Sequence, residues 1–237
     1  MIPDELTLEL LAERALAPFD SKGLVNWAIC VLELGYESEN LFILAGLDFE
    51  TTEEREKYFL KSIVDLKLDV VKPDDELIEK YAMTIAKRAI TGTISIEYAF
   101  GQMVKIERVT EYDIKYKAFY EIDEDLDYLK YDNSTLFNTG LTIENSKEYI
   151  LKEFEFFLKV TSLKIPLEEQ NKGYCEKCRK LTVPATKIKY QLRRPFKYLI
   201  WTCGFCGSQN IKFSNDHKVK RLLIEEYERK HNNPFPS

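Results

Sequence analysis

The chain has 237 residues, with 34 Lys+Arg against 40 Asp+Glu and 45% hydrophobic residues, which excludes a disordered chain and suits one mid-sized domain with a small companion. No apolar run approaches the roughly 18 residues that cross a bilayer, and the opening MIPDELTLEL is acidic where a signal peptide is basic, so a cytoplasmic protein with no membrane contact is expected. The formal net charge of −6 conceals a split: residues 1–170 carry 35 acidic and 19 basic side chains, residues 171–237 only 5 acidic and 15 basic.

The first 165 or so residues read as helices from end to end. Residues 5–17 place Leu6, Leu10, Leu11 and Leu16 near the 3.6 period, and Pro18 stops the pattern. Residues 24–34 are more continuously apolar, which predicts a helix at the centre of the core. Ser38 is placed to cap a short helix through Leu44, and Thr51 with Glu54 forms the signature of a capping box before a longer one. Pro73 suits the first position of a helix over 74–90 that ends at Gly92. Further helical patterns run over 95–108, 112–131 and 146–160, with a loop at 133–140. An acidic all-helical domain over 1–165 follows, a bundle of seven or eight helices.

After Leu163 the texture changes. Residues 166–172 read as a short polar linker. Beyond it the period becomes two, with Ile188, Tyr190 and Leu192 on one face and Lys187, Lys189 and Gln191 on the other. Residues 196–202 supply a second strand, so the pair predicts a hairpin whose tip is basic at Arg193 and Arg194. Residues 211–213 suit a third short strand. A helix over 215–231 and a tail over 232–237 close the chain. The fold class expected is therefore mainly α, an N-terminal helical bundle with a small C-terminal β region and a closing helix.

Cys175, Cys178, Cys203 and Cys206 form two C-x2-C pairs separated by twenty-four residues. The two-residue gap lets a tight turn aim both sulfurs at one centre, and two such knuckles supply the four thiolates of a tetrahedral Zn²⁺ site. Gly204 and Gly207 suit the second turn. In a reducing compartment disulfides are disfavoured, and neither pair opens a helix in a βαβ setting, as a redox motif would. Iron uses the same four-thiolate set and is the lesser alternative, since Arg179 and Lys180 follow Cys178 where rubredoxins usually have Gly. The stretch YCEKCRKLTVP to WTCGFCGSQNIKF resembles a zinc ribbon over residues 173–214. Four sulfur ligands leave no open position, so one structural zinc is expected, coupled to the folding of a domain too small to fold unaided.

Other candidate chemistry is sparse. Cys30, among Ala28, Ile29 and Val31, reads as a buried inert thiol, with no His anywhere in residues 1–170 to activate it. His217 and His231 stand at the two ends of the closing helix, with no metal role assigned. The carboxylates Glu121, Asp123, Glu124, Asp125, Asp127 and Asp132 lack the Gly and Glu of a calcium loop and read as a solvated helix end or acidic contact surface. No phosphate loop, nucleophile elbow or H-E-x-x-H occurs. No catalytic residue is assigned.

Two segments, VNWAICVLELGYESENLFILAGLD and IAKRAITGTISIEYAFGQMVKI, resemble a recurrent pattern in uncharacterised bacterial all-helical proteins of an accessory or immunity type. In those a Trp-containing helix precedes a Gly turn and an LAGL segment, and the resemblance implies a fold and no catalytic position. The function expected first is a non-enzymatic binding protein whose acidic helical domain captures a protein partner, for instance a cationic one, because opposite fields steer encounter. The alternative is nucleic-acid binding by the basic ribbon, with Lys187, Lys189, Arg193, Arg194 and Lys197 contacting phosphates while Tyr190, Phe196, Tyr198 and Trp201 meet bases. Against it stand two plainer readings: that the basic surface docks on the acidic domain, and that the aromatics fill the ribbon's own core. An enzyme with its site in the helical domain is a further alternative.

Overall fold

The computed structural model describes residues 2–69 and 74–232. Among them are ten helices and two small sheets, a mainly α architecture with a C-terminal β region and a closing helix. The chain divides into two compact units, Met1–Ile85 with Arg108–Thr110, and Ala86–Glu107 with Glu111–Ser237. The division falls inside a helix, and not at the charge boundary near Gln170. The helix start expected at Pro73 and the tail beyond Asn232 lie outside the described residues.

The first unit is built from α1 (Pro3–Leu16), α2 (Lys22–Glu33), α3 (Glu39–Ala45), α4 (Thr52–Asp65) and α5 (Asp74–Ile90) as far as Ile85. Its core gathers Leu10, Leu24, Trp27, Ala28, Val31, Leu41, Leu44, Phe59 and Ile63, so α2 is central as its continuous apolar run demands. The Trp27 and Phe59 rings meet edge to face with centroids 5.0 Å apart, a geometry favoured by the ring quadrupole. The buried indole N–H donates to Thr7 Oγ1 at 3.1 Å, and the Thr7 hydroxyl donates onward to the Pro3 carbonyl at 2.7 Å, so neither polar group is left unsatisfied.

The caps form where the sequence places them. Ser38 Oγ accepts from the Leu41 N–H at 3.1 Å and Thr51 Oγ1 from the Glu54 N–H at 3.3 Å. The Glu54 carboxylate turns to Lys57 Nζ, 3.1 Å away. Arg55, buried on α4, donates to Ser21 Oγ and to the carbonyls of Leu47 and Asp48 at 2.7–2.9 Å, and thereby ties the α3–α4 connection to the start of α2. Cys30 is exposed, contrary to expectation. Trp27, Ala28 and Val31 take the core-facing positions of α2, and an apolar run longer than one helix face must leave some of its members outside.

The helices of the second unit are the end of α5, then α6 (Ile96–Val109) through Glu107, α7 (Lys117–Leu129), α8 (Ser146–Ser162), α9 (Leu167–Gln170) and α10 (His217–Asn232). Phe119 on α7 packs against Phe154 and Phe157 of α8, with centroids 5.2 and 6.0 Å apart. The segment expected to be a plain linker forms one turn of helix, α9, and the Gln170 amide closes it by donating to the Ile165 carbonyl at 2.7 Å.

The acidic run on α7 is not a uniformly solvated face. Asp125 is fully buried and accepts from the backbone N–H groups of Leu136, Phe137 and Asn138 at 2.6, 3.1 and 2.7 Å, and from the Asn138 amide at 2.9 Å. Glu121 is buried as well and pairs with Lys117 at 2.9 Å. Asp125 therefore holds the 136–138 loop, which a carboxylate does well because it offers two oxygens to several converging donors.

Candidate metal centre and basic hairpin

Five short strands frame the cysteines: β1 (Gly173–Cys175), β2 (Lys180–Thr182), β3 (Pro184–Tyr190), β4 (Lys197–Cys203) and β5 (Ile211–Lys212). One antiparallel sheet has the order β2-β1-β5, and β3 with β4 forms a separate hairpin. Cys175 ends β1 and Cys203 ends β4, so each strand delivers the first cysteine of a knuckle to the same place.

The two knuckles close identically. The Arg179 N–H donates to the Cys175 carbonyl at 2.8 Å, and the Gly207 N–H to the Cys203 carbonyl at 2.9 Å. Both donors are left-handed, Arg179 at φ 57° and Gly207 at φ 67°. Gly207 does so without steric cost, whereas Arg179 holds the same conformation with a Cβ. Two further glycines are set by close approach. A Cβ on Gly204 would stand 2.9 Å from the Val183 carbonyl, and one on Gly173 would stand 2.8 Å from both Ile211 Cγ2 and the Lys212 carbonyl. Gly173 went unnoticed in the sequence, where only its place two residues before a ligand could have marked it.

The four sulfurs lie within 4.8 Å of one another, with Cys175 to Cys206 at 3.7 Å and Cys178 to Cys203 at 3.6 Å. Metal–sulfur bonds of about 2.3 Å in a tetrahedron put sulfurs about 3.8 Å apart, while a disulfide requires about 2.05 Å. The cluster is thus spaced to hold one metal ion and too open for S–S bonds. Burial opposes ionisation of Cys203, but the Cys206 and Phe205 N–H groups aimed at its sulfur hold the thiol down to about 6. Burial and hydrogen bonding to the neighbouring sulfurs push Cys178 up to about 12. A divalent cation held among the four sulfurs would favour the thiolate form of its ligands.

The hairpin projects from this base. Register pairs Pro184 with Cys203, Thr186 with Trp201, Ile188 with Leu199 and Tyr190 with Lys197, which puts those residues on one face, while Lys187, Lys189, Tyr198 and Ile200 share the other. Residues 185–199 are exposed throughout. Trp201 is 53% exposed and Tyr190 78% exposed, so the aromatics do not fill a ribbon core. Lys187, Lys189, Arg193, Arg194 and Lys197 make no ion pair among the described residues.

Docking within the second unit falls to a different part of the basic segment. On α10, Lys220 Nζ lies 2.6 Å from both oxygens of the buried Glu153 carboxylate on α8, and His217 Nε2 lies 3.1 Å from one of them. The His217 ring stacks on Tyr149 with centroids 3.7 Å apart, and the Tyr149 hydroxyl donates to Asn138 Oδ1 at 3.3 Å. Burial alone would raise the Glu153 pKa, yet the Lys220 charge and His217 lower it to about 2. The sequence assigned no role to His217, and Glu153 was not singled out. Their sixty-four-residue separation hides the pair.

Fold and site together define a mainly α protein carrying a zinc-ribbon-like four-cysteine centre. Comparison with protein families, curated proteins and solved structures finds no match. No described helix is long and apolar enough to cross a membrane.

Proposed function

We propose that this is a non-enzymatic binding protein in which a structural zinc ion folds a ribbon that presents its hairpin to single-stranded nucleic acid. Zinc suits four thiolates in a closed tetrahedral site, where no position is left for water or substrate. The observation that carries the reading is the simultaneous exposure of Tyr190, Phe196 and Trp201 with five cations that no carboxylate neutralises among the described residues. Exposed rings offer stacking surfaces worth about 1–3 kcal/mol per base, and free Lys and Arg meet phosphates. Fluorescence anisotropy with labelled oligonucleotides tests it. Binding that weakens steeply with salt and vanishes on charge reversal at Arg193 and Arg194 supports the reading, and binding indifferent to both changes ends it.

A second reading keeps the acidic helices as a surface for a cationic protein partner. It is supported by Phe42, Leu60 and Val64, which stand exposed on α3 and α4 within the acidic first unit, since apolar residues rimmed by charge suit protein contacts. A chain truncated near Gln170 that still captures such a partner would favour it.

A further inference from the structure

Beside the metal centre, the ribbon and α10 enclose an open cleft of about 550 Å³. Its lining includes three cations, Arg179, Lys180 and Arg229, together with the Phe205 ring and the apolar Leu181 and Leu222. None of the three cations makes an ion pair among the described residues. Two carboxylates also line it: Glu226 lies 2.5 Å from Lys230, and the exposed Glu225 lies 3.8 Å from Arg221. Phe205 is 66% exposed, and the Lys180 ammonium stands 5.0 Å from its ring centroid. Part of the lining is positioned by the knuckles: Phe205 lies between Cys203 and Cys206, and the Arg179 N–H closes the other turn on the Cys175 carbonyl.

We infer that this cleft is a binding site, distinct from the hairpin, for a nucleoside monophosphate unit. Small-molecule sites occupy about 300–1,000 Å³, and a bare phosphate would leave most of this cleft unfilled. A flat ring beside unpaired guanidinium and ammonium groups matches a ligand that joins a base to a phosphate. Phe205 supplies the stacking face, Arg179 and Arg229 supply planar donors that suit phosphate oxygens, and Leu222 closes the apolar side. The same chemistry is carried by a free nucleotide and by the 5′-phosphorylated end of a strand.

Isothermal titration of the full-length, metal-loaded protein with AMP, adenosine and inorganic phosphate tests this. AMP should bind at least about tenfold more tightly than either fragment, and Phe205→Leu and Arg229→Gln should each weaken it by about tenfold, the size of one lost stack or charged contact. Both side chains are exposed, so circular dichroism and metal content should match the unaltered protein in either variant. Comparison with a short oligonucleotide, with and without its 5′-phosphate, separates the sources. Tighter binding of the phosphorylated oligonucleotide than of AMP assigns the site to a strand end, and AMP binding at least as tight assigns it to free nucleotide. Arg193→Glu with Arg194→Glu should leave AMP binding unchanged whatever it does to longer strands. The inference is overturned if AMP binds no better than phosphate, if both cleft variants bind AMP normally, or if the hairpin variant loses it.

Discussion

Arg179 and Gly207 occupy equivalent places one residue beyond their knuckles, both left-handed and both donating to the carbonyl of the first cysteine. One is free of a side chain and the other is not. Left-handed backbone costs a residue with a Cβ roughly 1–2 kcal/mol. Gly207→Ala should therefore destabilise the ribbon by about that amount, whereas Arg179→Gly should be neutral or mildly stabilising, since relief of strain is partly offset by unfolded-state entropy. Chelator-competition measurements should show weaker metal binding for Gly207→Ala and unchanged or slightly tighter binding for Arg179→Gly.

Native mass spectrometry should find one zinc per chain. A folded ribbon without metal, or iron in its place, would contradict the assignment. Cys203→Ser should unfold the ribbon while leaving most helical signal in the far-ultraviolet, because a unit of about forty residues buries too little apolar surface to persist alone. Excess chelator should reproduce that phenotype in the unaltered protein.

Arg193→Gln with Arg194→Gln removes two cations from the exposed tip. If both meet phosphates of a single strand, the slope of log K against log salt should become shallower by about 1.4. Anisotropy titrations at several salt concentrations measure it. An unchanged slope would place the strand elsewhere.

The Glu153–Lys220–His217 cluster predicts a pH-dependent stability. The Glu153 pKa is lower folded than unfolded, so its contribution is present above about 4.5 and is lost as pH falls toward about 2. Glu153→Gln should flatten this part of the profile in urea melts taken across that window. Glu153→Ala should cost about 3 kcal/mol at neutral pH, because the largely buried Lys220 loses its partner.

Asp125→Ala should cost about 3 kcal/mol by stranding the two buried Asn138 donors and releasing the part-buried N–H groups of Leu136 and Phe137. Hydrogen exchange at Leu136, Phe137 and Asn138 should accelerate more than exchange in α7 itself.

Periodicity and caps made most helices legible, and cysteine spacing made the metal-type centre legible, because both depend on residues near in sequence. Asp125 and Glu153 were opaque for the opposite reason. Each looks like one more surface carboxylate until a loop eleven to thirteen residues on, or a helix some sixty residues on, covers it. Cys30 shows a related blind spot: apolar neighbours identify a buried helix but not which of its sides is buried. The division within α5 was likewise invisible, since a helix crossing between two compact units keeps one uninterrupted pattern.

The hairpin is rooted where Pro184 faces Cys203, and residues 185–199 beyond that root are exposed. Its outer rungs and tip can therefore change in length or lettering with little effect on whether the molecule folds. Such a finger is an exchangeable cassette: selection, or an engineer, could rewrite its surface while the four sulfurs keep their places.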